Sequence, residues 1–168
     1  DDLLRKLLSL VRSQTGHDFS LYKKTTLSRR IERRMNVHGI ENISDYVRYL
    51  HENTRETQLL FKDFLIGVTQ FFRDPGAFEE LKKTLLKYLE GEPEGGVFRA
   101  WIPGCATGEE AYSVAIMIME CLDELKRDMK VQIFGTDIDV EGISQARTGI
   151  YSKNIVEDVS PARLRRFF

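Results

Sequence analysis

Trp101-Ile-Pro-Gly-Cys-Ala-Thr-Gly-Glu-Glu110 decides the fold of this chain. The segment from Val97 to Ile102 is short, mostly apolar and rich in β-formers, and it runs into Gly104 and Gly108 before a helical pattern begins. Strand, glycine-rich turn and helix in that order open a nucleotide-binding βαβ unit, where glycines let a ligand approach the backbone. Thr107 is the expected N-cap of the helix, with Glu110 placed to complete a capping box. The helix body, Ala111 to about Lys126, has room for roughly four turns. A second, parallel strand, Val131 to Thr136, then delivers Asp137 to the carboxyl edge of the sheet, where open α/β sheets bind ligands. An acid there can accept hydrogen bonds from both hydroxyls of a ribose.

Taken alone, Gly104 and Gly108 also fit an ordinary loop, and Asp137 also fits an N-cap for a helix beginning near Val140. In order, on two parallel strands, they point to nucleotide or cofactor binding. No Gly-Lys-Ser/Thr follows the turn, which argues against a phosphate-cradling loop. Glu109 and Glu110 put negative charge at its mouth, which repels a pyrophosphate and suits a cationic cofactor. S-adenosylmethionine has that character: a ribose, an ammonium, a sulfonium and no phosphate.

Three segments, taken together, are more specific than any one. Phe64-Leu-Ile-Gly-Val-Thr-Gln-Phe-Phe-Arg-Asp74, Trp101 to Ser113, and Gly135-Thr-Asp-Ile-Asp139 followed by Ala146-Arg-Thr-Gly-Ile-Tyr151 closely resemble the CheR family of chemotaxis receptor methyltransferases, in the family's order. The resemblance covers essentially the whole chain. It implies an all-α N-terminal helical domain followed by a class I S-adenosylmethionine-dependent methyltransferase domain, Rossmann-like and here truncated. It also implies formation of glutamate methyl esters on the cytoplasmic helices of chemoreceptors, with S-adenosylhomocysteine as product. Carried over by position, the cofactor contacts fall on Thr69, Arg73, a glutamate of the Gly108-Glu109-Glu110 motif and Asp137, beside Gly104 and Gly108 of the turn. Glu109 is the first choice of the two, since Glu110 has the competing capping role. Gly67 stands where many relatives resemble an asparagine, so any side-chain contact made there is absent. Arg73-Asp74-Pro75 has a purely structural reading as well, with Asp74 capping a helix that starts at Pro75. No general base is expected, because a glutamate carboxylate is already ionised at neutral pH.

Upstream, Asp1 to about Ser13 has a helical stripe at Leu3, Leu4, Leu7, Leu8 and Val11. Phe19 to about Val37 has Leu27, Ile31 and Met35 at four-residue spacing. Arg29 with Arg33, and Arg30 with Arg34, are neighbours across one turn, so the four guanidinium groups are expected to form one basic surface. With Lys23 and Lys24 this segment holds six basic residues against the single Glu32, in a chain of net charge −1. A solvated polar face is the plain reading, but such a concentration also suits an acidic partner. In the CheR family the corresponding region is associated with recognition of the receptor's glutamate-bearing helices, which makes it the expected substrate-docking face. Nucleic acid is not expected, since the charge balance offers nothing beyond this patch. Further helices are expected from Ile43 to His51, Arg55 to Ile66 and Pro75 to Leu89, with a loop at Gly91 to Gly96. The expected division is a docking domain over 1–68, a connecting segment and helix over 69–90, and a partial methyltransferase domain over 91–168.

With 42% hydrophobic and 30% charged residues, the chain can bury a core while keeping a solvated surface. No apolar run approaches the roughly 20 residues needed to cross a bilayer, and no secretory pattern opens the chain, so a cytoplasmic protein without membrane insertion is expected. Cys105 and Cys121 have no metal-ligand spacing, and no metal site is expected; Cys105 reads as a small turn residue. The two strands fall short of a full methyltransferase sheet, so the chain reads as the first part of a longer enzyme with an exposed sheet edge open to association. Two alternatives remain: a non-catalytic receptor-docking relative, and a methyltransferase for another substrate class.

Overall fold

The computed structural model describes residues 2–65, 67 and 69–168. Asp1, expected to open the first helix, Ile66, expected to close the fourth, and Val68, expected to end the docking domain, lie outside the described residues. The chain forms two compact units, Asp1–Ile66 and Gly67–Phe168.

The first unit is helical: α1 (Asp2–Thr15), α2 (Lys24–Val37), α3 (Ile43–Glu52) and α4 (Thr54–Leu65). Residues spaced three and four apart lie on one side of a helix, so each contributes a stripe to a common core. Leu7, Leu10 and Val11 meet Leu27, Ile31 and Met35, Tyr46 and Leu50, and Leu60 and Phe64. The second helix starts at Lys24 rather than at Phe19 as expected. Phe19 instead drops into the core, edge-on to Phe64 with ring centroids 5.1 Å apart. The Asp18 carboxylate accepts from the Ser20 N–H at 2.8 Å, a local turn that competes with helix.

Glu56 of α4 is 4% exposed. A buried carboxylate needs partners to offset lost hydration. Arg34 donates to both its oxygens, at 2.9 and 2.5 Å, the Tyr46 hydroxyl donates at 2.8 Å, and His38 Nε2 lies 2.8 Å away. Burial pushes the Glu56 carboxyl up, but the bonds from Arg34, Tyr46 and His38 outweigh it and hold the group below its ordinary value. Burial and the same carboxylate push the Tyr46 phenol up. Arg34 is therefore committed inward and does not belong to a four-arginine solvated surface. Arg29 and Arg33 are exposed on α2, while Arg30 is half-buried.

The second unit comprises α5 (Pro75–Gly91), β1 (Val97–Pro103), α6 (Glu109–Glu124), β2 (Lys130–Thr136), α7 (Val140–Thr148), a 3-10 turn (Lys153–Glu157) and α8 (Pro161–Phe167). β1 and β2 pair in parallel, Val97 opposite Lys130 and Pro103 opposite Thr136, with α6 as the crossover. A parallel pair of this kind needs such a crossover to return the chain to the same end of the sheet. One sheet face, with Phe98, Ala100, Val131 and Ile133, packs on Met117, Ile118, Cys121 and Leu122 of α6 and on Leu85 and Leu89 of α5. The helix expected as a connector is thus part of this unit's core. Asp74 caps it, accepting from the Ala77 N–H at 3.2 Å, with Pro75 at the first helical position. On the opposite sheet face Trp101 is 68% and Phe134 51% exposed. The Ser160-Pro161 start of α8 carries an N-cap signal, with Ser160 accepting from the Arg163 N–H, and a helix follows where none was expected from the sequence.

Removing the Glu56 carboxylate leaves Arg34 half-sequestered without its counter-charge, so Glu56→Ala should lose about 3–5 kcal/mol in urea unfolding at neutral pH. Because its folded pKa is depressed, Glu56 contributes stability that is present above the unfolded value of about 4.3 and lost as pH falls through the lower folded value. The stability gap between the parent and Glu56→Gln should therefore narrow through that acidic window.

Candidate functional site

The parallel register puts the carboxyl ends of β1 and β2 side by side. Gly104 and Cys105 both donate their N–H groups to the Thr136 carbonyl, at 2.7 and 3.1 Å. The turn after β1 is therefore pinned to the last residue of β2. Ala106 follows in the left-handed region, φ 45°, and its N–H reaches Asp137 Oδ2 at 2.8 Å. Asp137 Oδ1 accepts from the Asp139 N–H at 2.8 Å. Each carboxylate oxygen spends one lone pair on these bonds and keeps another, so Asp137 can still accept from a ligand's hydroxyls.

A cleft of about 270 Å³ opens in front of this turn, lined by Gly67, Thr69, Gln70, Arg73, Phe78, Gly104, Ala106 and Glu110. Of the residues expected at a site, Thr69, Arg73, Gly104 and Glu110 come together on its wall, with Asp137 one hydrogen bond behind Ala106. Gly104 needs φ 72° and would present an added Cβ to open space. Gly108 and Glu109 are placed elsewhere. The helix begins at Glu109, with Gly108 as its left-handed N-cap and no side-chain cap bond, which overturns Thr107 as the N-cap and the capping box with Glu110. The Thr107 hydroxyl instead donates to Glu109 Oε2 at 2.6 Å. That bond takes one Glu109 oxygen, and Glu110, relieved of its capping role, is the glutamate that lines the cleft.

The local field is negative. Burial pushes the Cys105 thiol up, and Asp137, Glu110 and Glu109 push it further. Cys105, 2% exposed, is accordingly a protonated packing residue at neutral pH rather than a thiolate nucleophile. Among the described residues no group of three or more His, Cys, Asp or Glu side chains could hold a metal ion.

Residues 67–168 match the CheR methyltransferase SAM binding domain, and residues 2–65 match the CheR methyltransferase all-alpha domain. The chain belongs to the CheR methyltransferase family. It is 31% identical over 158 residues to a chemotaxis protein methyltransferase of Borreliella burgdorferi, covering 91% of this chain and 56% of that protein. A chemotaxis protein methyltransferase of Salmonella typhimurium is 29% identical over 170 residues, with 100% and 56% covered. An uncharacterized 104.1 kDa protein of Rhodobacter capsulatus is 34% identical over 168 residues, spanning 99% of this chain and 18% of that one. The chain thus spans about half the length of the curated methyltransferases it matches. A helical domain followed by a domain of the S-adenosylmethionine-binding class is the fold that the motifs implied.

Several features of this CheR site had no sequence signal. The Ala106 N–H and its tie to Asp137 depend on a positive φ at a non-glycine residue, which no pattern announces. Ser113 is fully buried; its Oγ accepts from the Phe72 N–H at 3.0 Å and donates to the Glu109 carbonyl at 2.6 Å. Phe78, from α5, closes the cleft from a helix expected only as a connector.

Gly108 is required for packing. A Cβ there would stand 2.8 Å from Tyr151 Oη and 2.9 Å from Ala146 Cβ, at φ 99°. Gly108→Ala should therefore lower stability by about 2–4 kcal/mol in thermal or urea unfolding, combining a left-handed penalty with overpacking.

Proposed function

We propose that this chain forms the cofactor half-site and the receptor-docking helices of a cytoplasmic protein-glutamate O-methyltransferase that acts on chemoreceptors. The observation that carries the reading is the cleft on which Thr69, Arg73 and Glu110 meet beside Asp137. One small cleft thus carries the partners that an amino-acid zwitterion needs: a carboxylate to accept from an ammonium, and a guanidinium and a hydroxyl to donate to a carboxylate. Glu110 would hold the ammonium of S-adenosylmethionine, Arg73 and Thr69 its carboxylate, and Asp137 its ribose hydroxyls. When bound, that cofactor supplies a methyl group on a sulfonium, and transfer to a glutamate oxygen forms the O–C bond as the S–C bond breaks, its electron pair passing to sulfur to give S-adenosylhomocysteine.

The protein's own part is orientation and exclusion of water. A base has no task, because the acceptor carboxylate is ionised. Only the sulfonium's charge is lost on transfer; the ammonium that Glu110 would hold keeps its charge throughout, so Glu110 binds ground and transition state alike and does not lower the barrier. Matching relatives named chemotaxis protein methyltransferase support the choice of chemoreceptor substrates. Docking falls to the exposed Arg29 and Arg33 of α2, with Arg30 at the margin.

Two measurements test this reading. In calorimetric titration with S-adenosylhomocysteine, Glu110→Gln should weaken binding at least tenfold, about 1.4 kcal/mol or more, while Glu109→Gln should have a small effect; the reverse ranking would return the role to Glu109. In fluorescence anisotropy with a receptor cytoplasmic fragment, the double charge reversal Arg29→Glu/Arg33→Glu should abolish salt-sensitive binding and leave S-adenosylhomocysteine affinity unchanged. Unchanged receptor binding would remove α2 from the docking role.

A further inference from the structure

Phe72 has φ 50°, a conformation that a bulky side chain rarely adopts. The residue sits inside the Thr69–Arg73 segment, and the turn it makes is what separates two kinds of side chain. Phe71 and Phe72 enter a core with Ile116 and Val159, while Thr69 and Arg73 remain on the wall of the cleft. A strained turn persists only where its surroundings over-determine it.

Three contacts do so here. On the backbone side, the Phe72 N–H is held by the buried Ser113 hydroxyl. On the ring side, Phe78 packs edge-on at a centroid distance of 5.2 Å, and the Arg163 guanidinium lies 4.0 Å from the ring centroid. Arg163 is aimed by Glu120 of α6, donating from Nε to Oε1 and from a terminal nitrogen to Oε2, both at 2.8 Å. The two side chains are 27% and 24% exposed, so the pair is only partly screened. A two-point bond fixes the plane of the guanidinium as well as its position, which a simple apolar contact would not. Arg163 does not line the cleft, and it meets the Thr69–Arg73 segment at the Phe72 ring.

We propose that Arg163 of α8 is a positioning residue of the cofactor site, clamping the left-handed Phe72 so that Thr69 and Arg73 keep their places on the cleft wall; this rests on the reading of that cleft as the S-adenosylmethionine site. The clamp ties α8 to α6 and makes the segment after Tyr151 part of the binding apparatus.

The test is a double-mutant cycle on S-adenosylhomocysteine affinity, measured by calorimetry on the parent chain, Arg163→Ala, Arg73→Ala and the combined variant, with near-UV circular dichroism to verify folding. Arg163→Ala should bind roughly tenfold more weakly, and adding it to Arg73→Ala should cost little more, because a displaced Arg73 has already lost its contact. Arg163→Lys, which keeps a cation over the ring but loses the two-point bond, should fall between. Fully additive losses, or parental affinity in folded Arg163→Ala, would overturn the proposal. Should Arg163→Ala fail to fold, parental affinity in Arg163→Lys overturns it equally. No binding by the parent chain would instead sink the reading of the cleft, and the proposal with it.

Discussion

The Ala106 N–H bound to the Asp137 carboxylate is the contact on which the rest of the site depends. Together with the Gly104 and Cys105 N–H groups on the Thr136 carbonyl, it fastens the end of one strand's turn to the end of the other. Parallel register alone would set the strand ends side by side without fixing the turn. The bond to Asp137 holds Ala106 in its left-handed conformation, and that in turn directs the chain through Gly108 into α6 with Glu110 on the cleft. Asp137 is consequently both a framework acceptor and a candidate ligand contact, and its replacement by alanine disturbs the turn as well as the contact.

The same economy recurs across the cleft. Ser113, one turn into α6, ties the Phe72 backbone to the carbonyl of Glu109, so the helix that carries one wall also holds the segment that carries the other. Buried polar groups of this kind are costly unless paired, and Ser113 is paired twice. The helical unit has its own version in Glu56, whose lost hydration is offset by Arg34, Tyr46 and His38. There the consequence is a smaller basic surface than charge counting implies.

Much of the architecture was legible because periodicity and capping are local. The strand–turn–helix–strand order, the Leu27-Ile31-Met35 stripe and the Asp74-Pro75 helix start all follow from residue spacing and turn chemistry. What escaped depends on tertiary partners. Arg34 has the same spacing as Arg29 and Arg33, and only the arrival of Glu56 from α4 turns it inward. Thr107 and Glu110 have capping-box spacing, but the Thr107 hydroxyl finds the nearer Glu109 carboxylate, and Glu110 lines the cleft instead of capping the helix. Phe19 fits a helical run, yet packing in the core against Phe64 takes it out of one. The Ser160-Pro161 cap was present in sequence; what gives α8 a purpose is its contact with Phe72 and Glu120, which spacing does not encode.

The proposed cofactor site is one cleft, walled by residues 69–73 and 104–110, with the 137–139 loop behind it. Amide hydrogen exchange with and without saturating S-adenosylhomocysteine tests it most directly, because it reports every loop at once. Added protection at residues 69–73, 104–110 and 137–139, with α1 to α4 unchanged, is the expected result. Protection confined to other segments, or no change in any of the three loops, would contradict it.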